Sequence, residues 1–253
     1  TKQQKEINKL EDYIRKNKVR AATAAQAKAR EKKLMKIDKI EISKQKPKPH
    51  FDFKFSKPSW SVIFKTKNLV IGYDTPLTKQ LNLKMDKNKK IAIIGANGIG
   101  KTTLLKTLMK VINPIEGKVM LDEQHLDIGY YEQENYYTEN VVIDEISNEF
   151  PKNTKTEVRR MLARCGLTDE HINSKLCKLS GGEQAKVRLC KVINNPSNIL
   201  FLDEPTNHLD VDAKEELKRA LINYDGSIVL VSHDRDFYKD IVTTVWNCEN
   251  WII

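Results

Sequence analysis

The 253-residue chain holds no run approaching the roughly 18 consecutive apolar residues that a membrane-crossing helix needs. Its greasiest stretches, such as Ile199-Leu200-Phe201-Leu202 and Ile228-Val229-Leu230-Val231, are short and suit buried strands. Cysteine is scarce. Cys165, Cys177, Cys190 and Cys248 form no Cys-x-x-Cys pair, and His171 between two of them lacks the tight spacing of a zinc site. Reduced thiols and a cytoplasmic location are the expectation. Proline and glycine are missing from residues 2–42, so nothing there interrupts a helix. No internal repeat is present, and no signal peptide opens the chain. It begins on Thr1 rather than Met and reads as a piece of a longer protein.

Charge of one sign is concentrated rather than spread. Residues 1–48 carry 16 Lys and Arg against 6 Asp and Glu, an excess of ten. The remainder holds 28 of each sign and sums to zero. A neutral globular body with a basic arm points to an anionic partner for the arm.

The arm predicts one helix over residues 2–42. Ile7, Leu10 and Ile14, then Leu34, Ile37 and Ile40, make a narrow apolar stripe. Such a helix needs a partner helix, expected upstream as the other limb of a hairpin. Lys46-Pro47-Lys48-Pro49 ends it. The boundaries read as an arm at 1–46, a connecting segment at 47–59 and a globular domain at 60–253. Phe51, Phe53 and Phe55 alternate with polar residues, which predicts a strand with one buried face. Further strands are predicted near 61–71, 91–94, 118–121, 127–132, 199–202 and 228–231. Helices are predicted near 101–110, 154–165, 183–194, 211–223 and 234–240. The fold class is mixed α/β with a ligand at the carboxyl ends of strands.

Three segments carry chemistry. Gly95-Ala96-Asn97-Gly98-Ile99-Gly100-Lys101-Thr102-Thr103 follows the apolar strand 91–94 and precedes a helix, the setting of a phosphate-binding P-loop. Gly95, Asn97, Gly98 and Gly100 let backbone N–H groups turn inward. Lys101 brings a point charge to phosphates, Thr102 a hydroxyl for Mg²⁺ and Thr103 a further phosphate donor. At the end of the strand 199–202, Asp203 and Glu204 deliver two carboxylates, one suited to hold Mg²⁺ and one to act as general base. Ser180-Gly181-Gly182-Glu183-Gln184 opens another helix as an N-cap and an anion nest together.

With Ser232-His233-Asp234 after a further apolar strand, these motifs resemble, in order and over residues 60–253, the ATP-binding cassette proteins. The resemblance implies a P-loop NTPase cassette, a mixed-sheet core with a helical signature subdomain, preceded here by the basic arm. It implies two cassettes sandwiching two ATP molecules, with Ser180–Gln184 serving the nucleotide of the partner. It implies that Gln133 in Gly129-Tyr130-Tyr131-Glu132-Gln133 sits near Mg²⁺ and the attacking water, and that His233 contacts the terminal phosphate. Asp210 belongs to the loop that crosses the dimer, and Tyr73 stacks on adenine.

Asp203-Glu204-Pro205-Thr206-Asn207-His208-Leu209-Asp210 resembles the ABC-F branch, soluble two-cassette proteins that act on the ribosome in translation or in antibiotic protection. The arm resembles the second helix of that branch's interdomain linker. The implied partners are a second cassette, from the same longer chain or a second copy, and ribosomal RNA or tRNA. Arg15, Lys16, Lys18, Arg20, Lys28, Arg30, Lys32 and Lys33 are the candidate RNA contacts. The implied activity is ATP hydrolysis. Two other readings share the motifs: the nucleotide-binding subunit of a membrane transporter, and an ATP-gated DNA repair protein.

Overall fold

Residues Ile199–Asp203 (β6) and Ser227–Val231 (β7) are buried at every position. A strand buried on both faces belongs inside a covered parallel sheet. The computed structural model describes residues 9, 12–16, 26, 29–32, 47–59, 61–133 and 138–253, which divide into one unit at 1–45 and another at 46–253. In the second unit, β6 and β7 join β3 (Lys90–Ile94), β5 (Ile128–Tyr131) and β8 (Thr244–Asn247) in a five-stranded sheet of order β5-β6-β7-β3-β8, all parallel.

The period of two splits the core. Ala92, Leu200, Leu202, Ile228 and Leu230 point to one hydrophobic cluster. Ile91, Ile93, Ile199, Phe201, Val229 and Val231 point to the other. The first cluster takes in apolar residues of α2 (Val142–Glu149), α3 (Lys155–Arg164), α4 (Asp169–Ile172), α5 (Gly181–Asn194) and α6 (Val211–Ile222). The second is closed by α1 (Lys101–Leu108) and by a separate antiparallel sheet of order β2-β1-β4, formed by β1 (Val62–Val70), β2 (Lys84–Asp86) and β4 (Glu116–Leu121).

Helix starts follow local chemistry. Thr154 with Glu157 and Ser180 with Glu183 close capping boxes on α3 and α5. Asp210 caps α6 through Ala213 N–H at 2.9 Å. Asp234 caps the short α7 (Arg235–Tyr238). α2 has no side-chain cap but carries Asp144 and Glu145 in its first turn; among the described α-helices of residues 46–253, α1 is the one with neither a side-chain cap nor an acidic residue there. Its cap position is Gly100 at φ 101°, a conformation that a side chain rarely tolerates.

Two sequence expectations are overturned. Phe51–Phe55 is not a strand; its one ladder contact is an isolated parallel bridge, Phe55 to Ser197. The segment instead threads across helices. His50 N donates to Arg164 O, Phe51 N to Glu216 Oε1, Arg219 Nη2 to Phe51 O, and Lys54 N to Ile193 O. Several of its backbone groups are thus paired with helix residues rather than with a neighbouring strand. Phe51 is fully buried and Phe53 nearly so, both inside the helical-side cluster, while Phe55 is exposed.

The single helix over 2–42 also fails. Residues 12–16 and 29–32 are helical, yet the Arg30 guanidinium lies 3.4 Å from the Tyr13 ring centroid, and Tyr13 OH donates to Gln26 at 3.0 Å. In one continuous helix, positions 13 and 30 would stand roughly 25 Å apart along the axis. Positions 13 and 30 therefore do not belong to one straight helix. Elsewhere the predicted strands and helices appear within a few residues of their expected limits, and β2, β8, α2 and α4 are additional.

Candidate functional site

β3 runs directly into Gly95–Gly100, and α1 begins at Lys101. Parallel pairing puts the carboxyl ends of β6 and β7 beside this loop, with Asp203 opposite Val231 and Ser232 just beyond. The result is a cleft of about 570 Å³. Tyr73, Asn97, Gly98, Gly100, Lys101, Thr102, Thr103, Gln133, Asp203, Glu204 and His233 all line it. Gly95 stands behind the wall and lends its carbonyl to Lys101. Lys101 is buried, its Nζ donating to Gly95 O and Ala96 O at 2.8 Å each.

The carboxylates are held differently. Asp203 is fully buried. Its Oδ2 accepts from Thr102 Oγ1 at 2.7 Å, while Oδ1 has no hydrogen-bond partner. Burial pushes the Asp203 carboxyl above its usual range, the Thr102 hydroxyl works against that shift, and the neighbouring Glu204 charge adds to it. Glu204 sits at φ 47°, a left-handed backbone in a non-glycine residue, which costs energy and aims the side chain into the cleft. Its carboxylate lies 3.0 Å from His233 Nδ1. Tyr73 is 67% exposed, so its ring face is open for stacking.

Two cleft residues escaped the sequence reading, Leu77 and Asn207. Asn207 lies in a segment already singled out, and its N–H donates to Glu204 O at 3.1 Å. Leu77 sits in a loop with no motif to signal it. Two anchors flanking Gln133 were also missed. Glu132 pairs with Lys106 of α1 at 2.7 Å, and Tyr131 OH accepts from the buried Arg188 of α5 at 3.3 Å.

The Ser180–Gln184 turn does not reach this cleft. Ser180, Gly182, Glu183 and Asp210 line a separate hollow of about 190 Å³, together with His171, Lys186 and His208. Ser180 Oγ accepts from Glu183 N–H, and Glu183 in turn accepts from Ser180 N–H at 2.9 Å. Gln184 faces inward, donating to Leu179 O at 3.1 Å and Leu176 O at 3.3 Å. A Cβ on Gly182 would stand 2.6 Å from His208 O, so only glycine fits. Asp210 caps α6 and also accepts from Lys186 of α5 at 2.8 Å.

In the arm, Arg15 pairs with Asp12 at 2.7 Å, Arg30 covers Tyr13, and Lys16 and Lys32 are exposed on helical turns. Lys18, Arg20, Lys28 and Lys33 lie outside the described residues.

Comparison with known proteins agrees with this geometry. Residues 78–207 match a family model described as ABC transporter, and residues 1–53 match a second model with the same description. An uncharacterised ABC transporter ATP-binding protein of Bacillus subtilis, YfmM, is 57% identical over 99% of this chain and 48% of its own length. ABC transporter F family member 2 of Arabidopsis thaliana is 37% identical over 96% of this chain and 37% of its own length. The chain thus spans about half the length of these relatives, or less. The dimeric ATP-binding cassette MJ0796, solved in a post-hydrolysis state with ADP and Pi, superposes with a TM-score of 0.61 at 23% identity, over 73% of this chain and 94% of that one. That likeness bears on the fold.

Proposed function

The chain belongs to the ABC transporter family of ATP-binding cassettes, and from that premise we propose that it binds Mg-ATP and supplies one half of a two-cassette ATPase. The observation that carries the proposal is the meeting of Lys101, Thr102, Asp203, Glu204 and His233 in one cleft at the ends of β3, β6 and β7. The uncapped N-terminus of α1 leaves its first N–H groups and positive dipole end for phosphate. Lys101 neutralises the terminal phosphates, and Tyr73 stacks on the base.

The residues fit magnesium. Asp203 keeps one buried oxygen without a partner beside the Thr102 hydroxyl, and both are the hard oxygen donors that this ion takes. Bound there, Mg²⁺ would offset phosphate charge. Glu204 takes a proton from the attacking water, and His233, touching its carboxylate, faces the terminal phosphate. Gln133 orients the water. The Ser180 turn, standing apart from its own cleft, serves the nucleotide of a second cassette, with Asp210 beside it. That cassette belongs to the remainder of a longer chain or to a second copy.

The F-family relatives and the sequence Glu204-Pro205-Thr206-Asn207-His208-Leu209-Asp210 support the ABC-F branch. Its target on this reading is the ribosome in the cytoplasm, in translation or antibiotic protection, with the basic arm at 1–46 contacting ribosomal RNA or tRNA. No described helix is long and apolar enough to cross a membrane. The full-length protein with Glu204→Gln should bind ATP, hydrolyse it at least a hundredfold more slowly, and co-sediment with ribosomes at low salt. Hydrolysis at the wild-type rate would refute the assignment of the base. Absence from the ribosome pellet would refute the target.

A further inference from the structure

The outer face of the three-stranded sheet breaks a packing rule. Its inner face is apolar, with Phe64, Met85 and Val119 buried. Its outer face carries Lys65 and Lys67 from β1, Lys84 from β2, and Lys118 and Met120 from β4, all exposed. Register sets Lys65 directly opposite Lys84, and Lys67 directly opposite Lys118. Like charges facing each other across neighbouring strands destabilise a sheet. A salt-bridged surface would put a carboxylate at one member of each pair.

Relief within the chain is slight. Lys84 pairs with Asp86 at 2.8 Å. Lys65, Lys67 and Lys118 have no carboxylate within 4.0 Å among the described residues. Glu116 is the other acid on this face, at its end opposite Val70. General basicity does not account for the cluster, because the chain beyond residue 48 sums to zero charge. A local rule broken without compensation inside the fold is the mark of a functional surface.

We propose that this sheet face is a second polyanion surface, docking the phosphate backbone of RNA independently of the arm. Lysines are flexible point charges that suit a repeating phosphate rather than a planar, bidentate carboxylate partner. Four of them spread over three strands offer a charged plane without the hydrogen-bonding pockets that base reading requires. The excess charge of the arm suits the same class of partner. The proposal extends the ribosomal reading but fails separately from it, because the arm is left intact in the test.

The test compares the full chain with its Lys65→Gln/Lys67→Gln/Lys118→Gln variant. Binding to a labelled single-stranded RNA is followed by fluorescence anisotropy across a salt series. Three lost phosphate contacts should make the slope of log K against log salt shallower by about 2. A control variant, Lys152→Gln/Lys214→Gln/Lys239→Gln, removes equal charge elsewhere and should leave the slope unchanged. Equal slopes for the wild type and the sheet variant, or equal losses in sheet and control variants, would overturn the proposal. So would loss of binding to polyglutamate alone, which would identify the surface as one for acidic protein. Unchanged thermal melting of the sheet variant ensures that the comparison reads binding.

Discussion

Thr102→Val removes the one hydrogen bond that the fully buried Asp203 carboxylate accepts, while keeping the side chain's size. Asp203 Oδ1 already lacks a partner, so the variant leaves both oxygens bare inside the protein. A buried polar group deprived of its partner costs about 1–3 kcal/mol, at the upper end for a charge. For a domain of this size that lowers the melting temperature by roughly 2–12 °C. The pH dependence has a definite sign. Burial raises the Asp203 carboxyl, and the Thr102 hydroxyl partly holds it down. Without Thr102 it rises further. A carboxyl raised in the folded state contributes stability at low pH that is lost as pH climbs through its folded value. The melting difference between variant and wild type should therefore be large at pH 8 and shrink as pH falls and Asp203 takes up its proton. Mg-ATP should raise the melting temperature of the wild type and of Thr102→Ser, but not of Thr102→Val. Identical nucleotide-free melting of Thr102→Val and wild type at pH 8 would refute the coupling of these two side chains.

The threaded segment gives a graded test: Phe51→Ala should cost about 3–5 kcal/mol in urea unfolding, Phe53→Ala nearly as much, and Phe55→Ala under about 1 kcal/mol. Equal losses at all three positions would restore a different packing for the segment. Ser180→Ala should cost about 1 kcal/mol of stability through its cap, leave ATP affinity of the single cassette unchanged, and lower turnover at least tenfold; weakened ATP affinity instead would show that the turn serves its own cleft. Cys177 is exposed while Cys165, Cys190 and Cys248 are buried, with the Cys248 thiol pushed up to about 11 by burial. A disulfide reagent at pH 8 should therefore modify one thiol rapidly in the native chain and the other three only in denaturant.

The sequence was most legible where local chemistry and tertiary position demand the same residue. Gly95–Gly100 leads from the end of one buried strand to the helix that starts at Lys101, and Asp203 ends another, so the residue pattern already marked where these residues stand in the fold. Alternation at Phe51, Phe53 and Phe55 misled because a period of two also arises in an extended segment crossing helices. What distinguishes the cases is the partner, here Glu216 and Arg219, more than 160 residues away in sequence. The arm misled for the converse reason. A run of helix formers carries no signal that Tyr13 and Arg30 would meet. Leu77 had no signature because any apolar side chain of its size could line that wall. The inward turn of Gln184 was invisible because an amide at a helix start suits ligand and backbone carbonyl equally.

The contact of Gly182 with His208 has a mechanical meaning. Only three residues separate Glu204 from His208, and Lys186 to Asp210 bolts the same stretch to the following helix. His208 O stands so near Gly182 that no side chain fits between them, which sets the segment after Glu204 directly against the Ser180 turn. On the two-cassette reading proposed above, the cleft and the turn offered to the second cassette are thus joined by direct packing and one ion pair rather than by a flexible loop.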